Sequence, residues 1–226
     1  MSDEDSTSSP PPSQLGTQNH WDSVYRRELT NFTSNKSDPG DIWYGEKAQS
    51  DMIRFGTDLL LDFGKSVEDV NVLDLGAGNG CLTLALLEED YVNIVASDYV
   101  QSSVDLSKSV CANGGFEESE TLKFVLDDIN STQFTSQFDI TFDKGTMDAF
   151  LLYPSHTPQM YTTGVKGMMN IGGVLILASC NNTVDEIKKY FGEGWKFIDE
   201  FNSGSTFSFG GVKGSTHVIL AFERIS

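Results

Sequence analysis

The chain has 226 residues, enough for one α/β domain with a sizeable core and a short tail. Its 33 acidic against 15 basic residues give a formal charge of −18, which argues against a nucleic-acid partner, since phosphate contacts need lysine and arginine, and suits a basic protein partner or simple solubility. No run is long and apolar enough to span a membrane, the acidic N-terminus has no signal-peptide character, and the three scattered cysteines suggest neither disulfides nor a metal site, so a soluble intracellular monomer is expected.

Residues 1–16, rich in Ser, Pro and Asp, read as a disordered tail. A single domain is expected over 17–226, opening with a helical cap over 17–62. There Trp21, Val24, Tyr25, Leu29 and Phe32 recur at helical spacing, and after a turn at Asp38-Pro39-Gly40 the residues Trp43-Tyr44-Gly45 lead into a second helix over about 46–61. The apolar run 70–73 predicts a first strand, and Asp74-Leu75-Gly76-Ala77-Gly78-Asn79-Gly80 a tight turn into a buried helix. Further strands are expected at 93–98, 122–126, 138–142 and 174–178. The predicted helices between and after them cover 100–112, 158–169 and 184–191. Two closing strands, 196–201 and 217–222, are joined by a glycine- and serine-rich loop without a helix. The alternation predicts a mostly parallel sheet with one antiparallel edge strand.

Ligands of such sheets bind at the carboxyl ends of the strands, where this chain places one carboxylate after another. Gly76 and Gly78 let the backbone approach a ligand that a β-carbon would block. A dinucleotide fingerprint would need a third glycine where Cys81 stands, and an acid at Asp74 is a poor neighbour for a pyrophosphate. A cationic ligand suits it better. S-adenosylmethionine carries a sulfonium and an ammonium, so Asp74 is expected to accept from the ammonium and Asp98 from the ribose hydroxyls, with Asn79 and Tyr99 beside them. Asp127 or Asp128 would accept from the adenine amino group, with Ile129 as an apolar wall. Asp143 would face the reacting end and position the amine that receives the methyl group.

The runs from Gln18 to Leu29 and from Gly40 to Glu46, the turn from Val72 to Gly80, Asp143-Lys144-Gly145-Thr146-Met147-Asp148-Ala149, Ser179-Cys180-Asn181 and Phe207-Ser208-Phe209-Gly210-Gly211 together resemble one family. These are the seven-strand, Rossmann-like class I methyltransferases called elongation factor 1-alpha lysine methyltransferase 2 in animals and elongation factor methyltransferase 4 in fungi. The resemblance covers about 14–225. It implies a cytoplasmic enzyme that uses S-adenosylmethionine to methylate a lysine of that basic factor, in agreement with the charge. It further implies that Trp21 and Tyr25 fold over the cofactor or the substrate entrance, that Trp43, Tyr44 and Asn181 stand at the same mouth, and that Phe207 and Phe209 clamp the lysine stem. A small-molecule methyltransferase on the same scaffold is the alternative.

Overall fold

The computed structural model describes residues 13–201, 207–209, 212–214 and 217–226. A 3₁₀ turn (Gln14–Gly16) leads into α1 (Gln18–Ser34), whose first turn is capped by the Thr17 hydroxyl, and α2 (Gly45–Asp62) follows. The chain then runs through β1 (Asn71–Leu75), α3 (Cys81–Glu88), β2 (Asn93–Asp98), α4 (Gln101–Asn113), β3 (Leu122–Leu126), β4 (Phe138–Lys144) and α5 (Thr146–Leu151). It continues with α6 (Pro158–Met168), β5 (Met169–Ser179), α7 (Val184–Tyr190) and β6 (Trp195–Glu200). A short antiparallel pair, β7 (Phe207–Phe209) and β8 (Val212–Gly214), precedes the last strand, β9 (Val218–Arg224).

Among the described residues seven strands form one sheet in the order β3-β2-β1-β4-β5-β9-β6. The first five are parallel, and β9 is antiparallel to both of its neighbours. The predicted antiparallel strand is thus present at this side of the sheet, with β6 as the outermost strand beyond it. Side chains alternate across the pleat, so β1 sends Val72 to one face and Leu73 and Leu75 to the other. Helices α2, α3 and α4 cover the first face, where Met52, Leu60, Leu82 and Leu86 meet Val72, Ile94, Ile140 and Phe142. Helices α5, α6 and α7 cover the second, where Met147, Tyr161, Val165 and Ile187 meet Leu73, Leu75, Leu175 and Leu177. Each such side chain contributes about 1.5–3 kcal/mol by leaving water. Helix α1 forms an outer layer, with Phe32 seated on Leu106 and Val110 of α4.

Several expectations shift. Residues 13–16, assigned to the tail, belong to the fold: a β-carbon on Gly16 would fall 2.5 Å from the carbonyl carbon of Leu152. Residues 1–12 lie outside the described residues. Strand β5, expected over 174–178, begins at Met169, so that Gly172-Gly173 lies inside it, and it changes register against β4 between Phe138 and Ile140. The six-residue α5 has no counterpart among the predicted elements. No helix among the described residues is long and apolar enough to cross a membrane.

Candidate active site

The glycine turn after β1 is pinned to the end of β2. Gly76 and Ala77 both donate their N–H to the Ser97 carbonyl, at 2.8 and 2.9 Å, and Gly78 donates to Asp98 Oδ2 at 3.1 Å. At Gly76, with φ 71°, a β-carbon would lie 2.0 Å from Thr146 Oγ1, and at Gly78, with φ 58°, it would lie 2.8 Å from the Tyr25 hydroxyl. Both the handedness and the space therefore require glycine. Asp98 also accepts from the Val100 N–H at 3.0 Å and lies 2.7 Å from Ser103 Oγ. Burial raises its pKa, and these hydrogen bonds oppose the rise.

Above the turn, at the carboxyl ends of β1 to β4, is a cleft of about 360 Å³. Of the candidates, Trp21, Tyr25, Trp43, Gly76, Gly78, Asn79, Asp98, Tyr99, Asp127, Asp128 and Ile129 all line it. The first stretch of the cap crosses its mouth. Gly16 rests on the end of α5, Gln18 Nε2 donates to the Tyr99 carbonyl at 2.7 Å, and the Trp21 indole donates to the Leu15 carbonyl at 2.7 Å. Trp21 stacks on Tyr25 at 5.8 Å and meets Trp43 edge-on at 5.0 Å, making an aromatic wall. At the β3 end, Asp127 accepts from Thr132 Oγ1 and the Gln133 N–H, and Asp128 caps the next turn through the Asn130 N–H.

Two expected carboxylates do not face the cleft. Asp74 is 1% exposed and lies beneath the glycine turn, its Oδ2 accepting from Thr83 Oγ1 at 2.6 Å; burial pushes its pKa up to about 6. It is therefore not placed to meet an ammonium in the cleft. Asp143 is wholly buried, because the pleat of β4 turns it toward α5 and α6. There it accepts from the Thr146 N–H at 2.7 Å, the Met147 N–H at 3.0 Å and the Tyr161 hydroxyl, so its carboxylate anchors the start of α5. Burial pushes its pKa up to about 7. It does not line the cleft.

Lys144, one residue on, takes the opposite face and does line the cleft; its Nζ donates to the Trp43 carbonyl at 3.1 Å. Asp148 is the other residue that sequence reasoning did not single out. Buried at 3% exposure, it accepts from the Tyr44 hydroxyl at 2.7 Å, Ser179 Oγ at 2.5 Å, the Cys180 and Asn181 N–H groups at 2.8 and 3.2 Å, and Asn182 Nδ2 at 3.2 Å. It thus binds the cap to the turn after β5. Tyr44 and Asn181 are held by this carboxylate and do not line the cleft. Tyr44 adopts φ 63°, a left-handed conformation unusual for a tyrosine, and stacks on His217 at 6.1 Å. The side chains of Phe207 and Phe209 lie outside the described residues.

The arrangement fits an adenosine-type ligand: a glycine cradle, a preorganised carboxylate at the end of β2, an apolar wall at Ile129 and aromatic cover. Residues 66–207 match the family described as methyltransferase domain. The chain is 34% identical to human EEF1A lysine methyltransferase 2 over 95% of its length and 88% of that protein's. It is 33% identical to the protein-lysine N-methyltransferase efm4 of Schizosaccharomyces pombe, over 94% of this chain and 95% of that one. Among solved structures, the N-methyltransferase NodS of Bradyrhizobium japonicum, determined with S-adenosylhomocysteine, matches with a TM-score of 0.60 at 13% identity, covering 90% of this chain and 98% of that one. The sheet order, the glycine cradle and this end-to-end similarity agree: the chain belongs to the methyltransferase-domain family and, within it, to the group of EEF1A lysine methyltransferase 2 and efm4.

Proposed function

We propose that this chain transfers a methyl group from S-adenosylmethionine to the side-chain amine of a lysine in translation elongation factor 1-alpha. The observation that carries the reading is the extent of the similarity, 95% of the chain against the human relative, so that it takes in the helical cap as well as the matched residues 66–207. Substrate class is expressed in such caps and loops, and a shared sheet alone would not indicate it.

When bound, the cofactor supplies an electrophilic methyl group on a positively charged sulfur. The chain's own residues then have three tasks. Asp98 accepts from the ribose hydroxyls, while Asp127, Asp128 and Ile129 frame the base. Trp21 and Tyr25 exclude water from the cleft, and Trp43 borders the route of the lysine stem. The lysine must arrive unprotonated, which from a reference pKa near ~10.4 costs about 4.6 kcal/mol at pH 7. An aromatic wall without water lowers that pKa, so alignment and desolvation are the contributions asked of the protein. Asp143 acts by holding α5, and no role as base is assigned to it. The strongly negative surface draws a basic substrate, and the cytoplasm, where that factor works, is the compartment that the reading implies.

The test is methylation of purified elongation factor 1-alpha by the full chain with isotopically labelled S-adenosylmethionine, followed by peptide mass spectrometry. A labelled lysine in the factor is the expected result. Transfer to small amines with none to the factor would replace the proposal by the small-molecule alternative.

A further inference from the structure

The charges on the cleft wall are uneven. Among the described residues four carboxylates, Asp41, Asp98, Asp127 and Asp128, line it together with one lysine, Lys144, and no arginine. Lys144 rises from the last position of β4, on the face opposite Asp143, and its Nζ reaches the Trp43 carbonyl. None of the ion pairs among the described residues includes it. An ammonium has three N–H donors, and here one of them meets a neutral carbonyl. Such a cation, partly withdrawn from water, is stabilised by an anion brought to it. Burial lowers the Lys144 pKa and the nearby Asp74 opposes the fall.

The inference rests on the reading of S-adenosylmethionine as donor. That molecule has one anionic group, the α-carboxylate of its methionine half. With the ribose and base placed at Asp98, Asp127 and Asp128, the methionine half falls at the other end of the cleft, beside Trp43, Asn79 and Lys144. Asp98, Asp127 and Asp128 leave the ribose and base end of the wall unsuited to a carboxylate, and Lys144 is the one lysine among its described side chains. The Asn79 amide is neutral and is held in place, its Nδ2 donating to the Asp41 carbonyl at 3.0 Å and its Oδ1 accepting from the Cys81 N–H at 3.2 Å.

We propose that Lys144 is the group that takes the α-carboxylate of the methyl donor, in a charge-assisted hydrogen bond made while it keeps the Trp43 carbonyl. Lys144 thereby sets the position of the methionine half and ties it, through Trp43, to the aromatic wall of the cap.

Calorimetric titration of the full-length protein tests this with two ligands, S-adenosylmethionine and its decarboxylated analogue, which keeps the sulfonium and the ammonium. The wild type is expected to bind S-adenosylmethionine roughly 10- to 100-fold more tightly than the analogue. Lys144→Gln should lose that preference by weakening S-adenosylmethionine alone, and Lys144→Arg should keep most of it. Equal wild-type affinity for both ligands would overturn the assignment without recourse to any variant. So would a Lys144→Gln protein that weakens both ligands alike, or that keeps the full preference, since backbone N–H groups would then hold the carboxylate. A wild type that binds neither ligand would instead remove the donor reading, and this inference with it.

Discussion

Asp98 has two duties that a single substitution exposes together. Its carboxylate holds the glycine turn through the Gly78 N–H and also lines the cleft. Two charge-assisted bonds to a ribose, at about 1.5–3 kcal/mol each, make Asp98→Ala weaken S-adenosylmethionine binding by at least about 100-fold. Calorimetry on the folded variant measures this directly, and unchanged affinity would count against the ribose assignment. Asp143 is tested through pH. Its folded pKa of about 7 lies above the value near ~3.9 of an unfolded chain, so between these values the folded state binds a proton that the unfolded state does not. Stability from this group is therefore fully present below about pH 4 and falls as pH rises toward 7. Asp143→Asn removes that titration. The stability of the variant relative to wild type should move in the variant's favour by roughly 3 kcal/mol between about pH 4.5 and 7.5. Urea denaturation across that range reports the difference, and a difference independent of pH would show that the carboxyl ionises at its ordinary value.

At the scale of elements, contact between α2 and the sheet depends on Gly56, where a β-carbon would lie 2.8 Å from the Phe142 ring and 3.1 Å from Ile140 Cδ1. Alanine is the better helix former by about 0.8–1 kcal/mol, whereas overpacking a filled core costs about 1–3 kcal/mol. Phe142 and Ile140 are both fully buried and cannot swing aside, so the second effect wins. Gly56→Ala should lower stability by up to about 2 kcal/mol net, and a raised melting temperature would refute this. Elements were legible in the sequence where apolar runs end in punctuation. The strands β2 and β3 match their expected bounds, because acidic and other polar residues lie close on both sides of each run. Helix α5 was not legible: six residues give too little period to see, and its anchor, Asp143, is distant from the partner Tyr161 in sequence. The same limit shaped the site. Reading a carboxylate at the ends of the first four strands located the cleft, yet which of Asp143 and Lys144 enters it depends on the pleat of β4, and the expected strand stopped short of both. Asp148 draws its five partners from the cap and from the turn after β5, and so carries no local signature.

For the whole molecule, the charge of −18 is the property a basic substrate meets first. Attraction of this kind is screened over a Debye length of about 10 Å at 0.1 M salt, so the KM for the protein substrate should rise severalfold between about 50 and 300 mM salt, with kcat nearly constant. Steady-state kinetics at several salt concentrations measures both, and a flat KM would confine recognition to the aromatic mouth. One feature of the sheet order bears on how the molecule is assembled. Strand β6 precedes β9 in the chain but pairs only through it, since β9 lies between β6 and β5. During synthesis β6 therefore waits, emerging from the ribosome with no ladder to join, while the open flank of β5 stays ready to pair with a stranger. Only the arrival of β9 closes that gap on both sides at once, which makes a strand later in the chain than both of its neighbours the one on which the nascent fold locks.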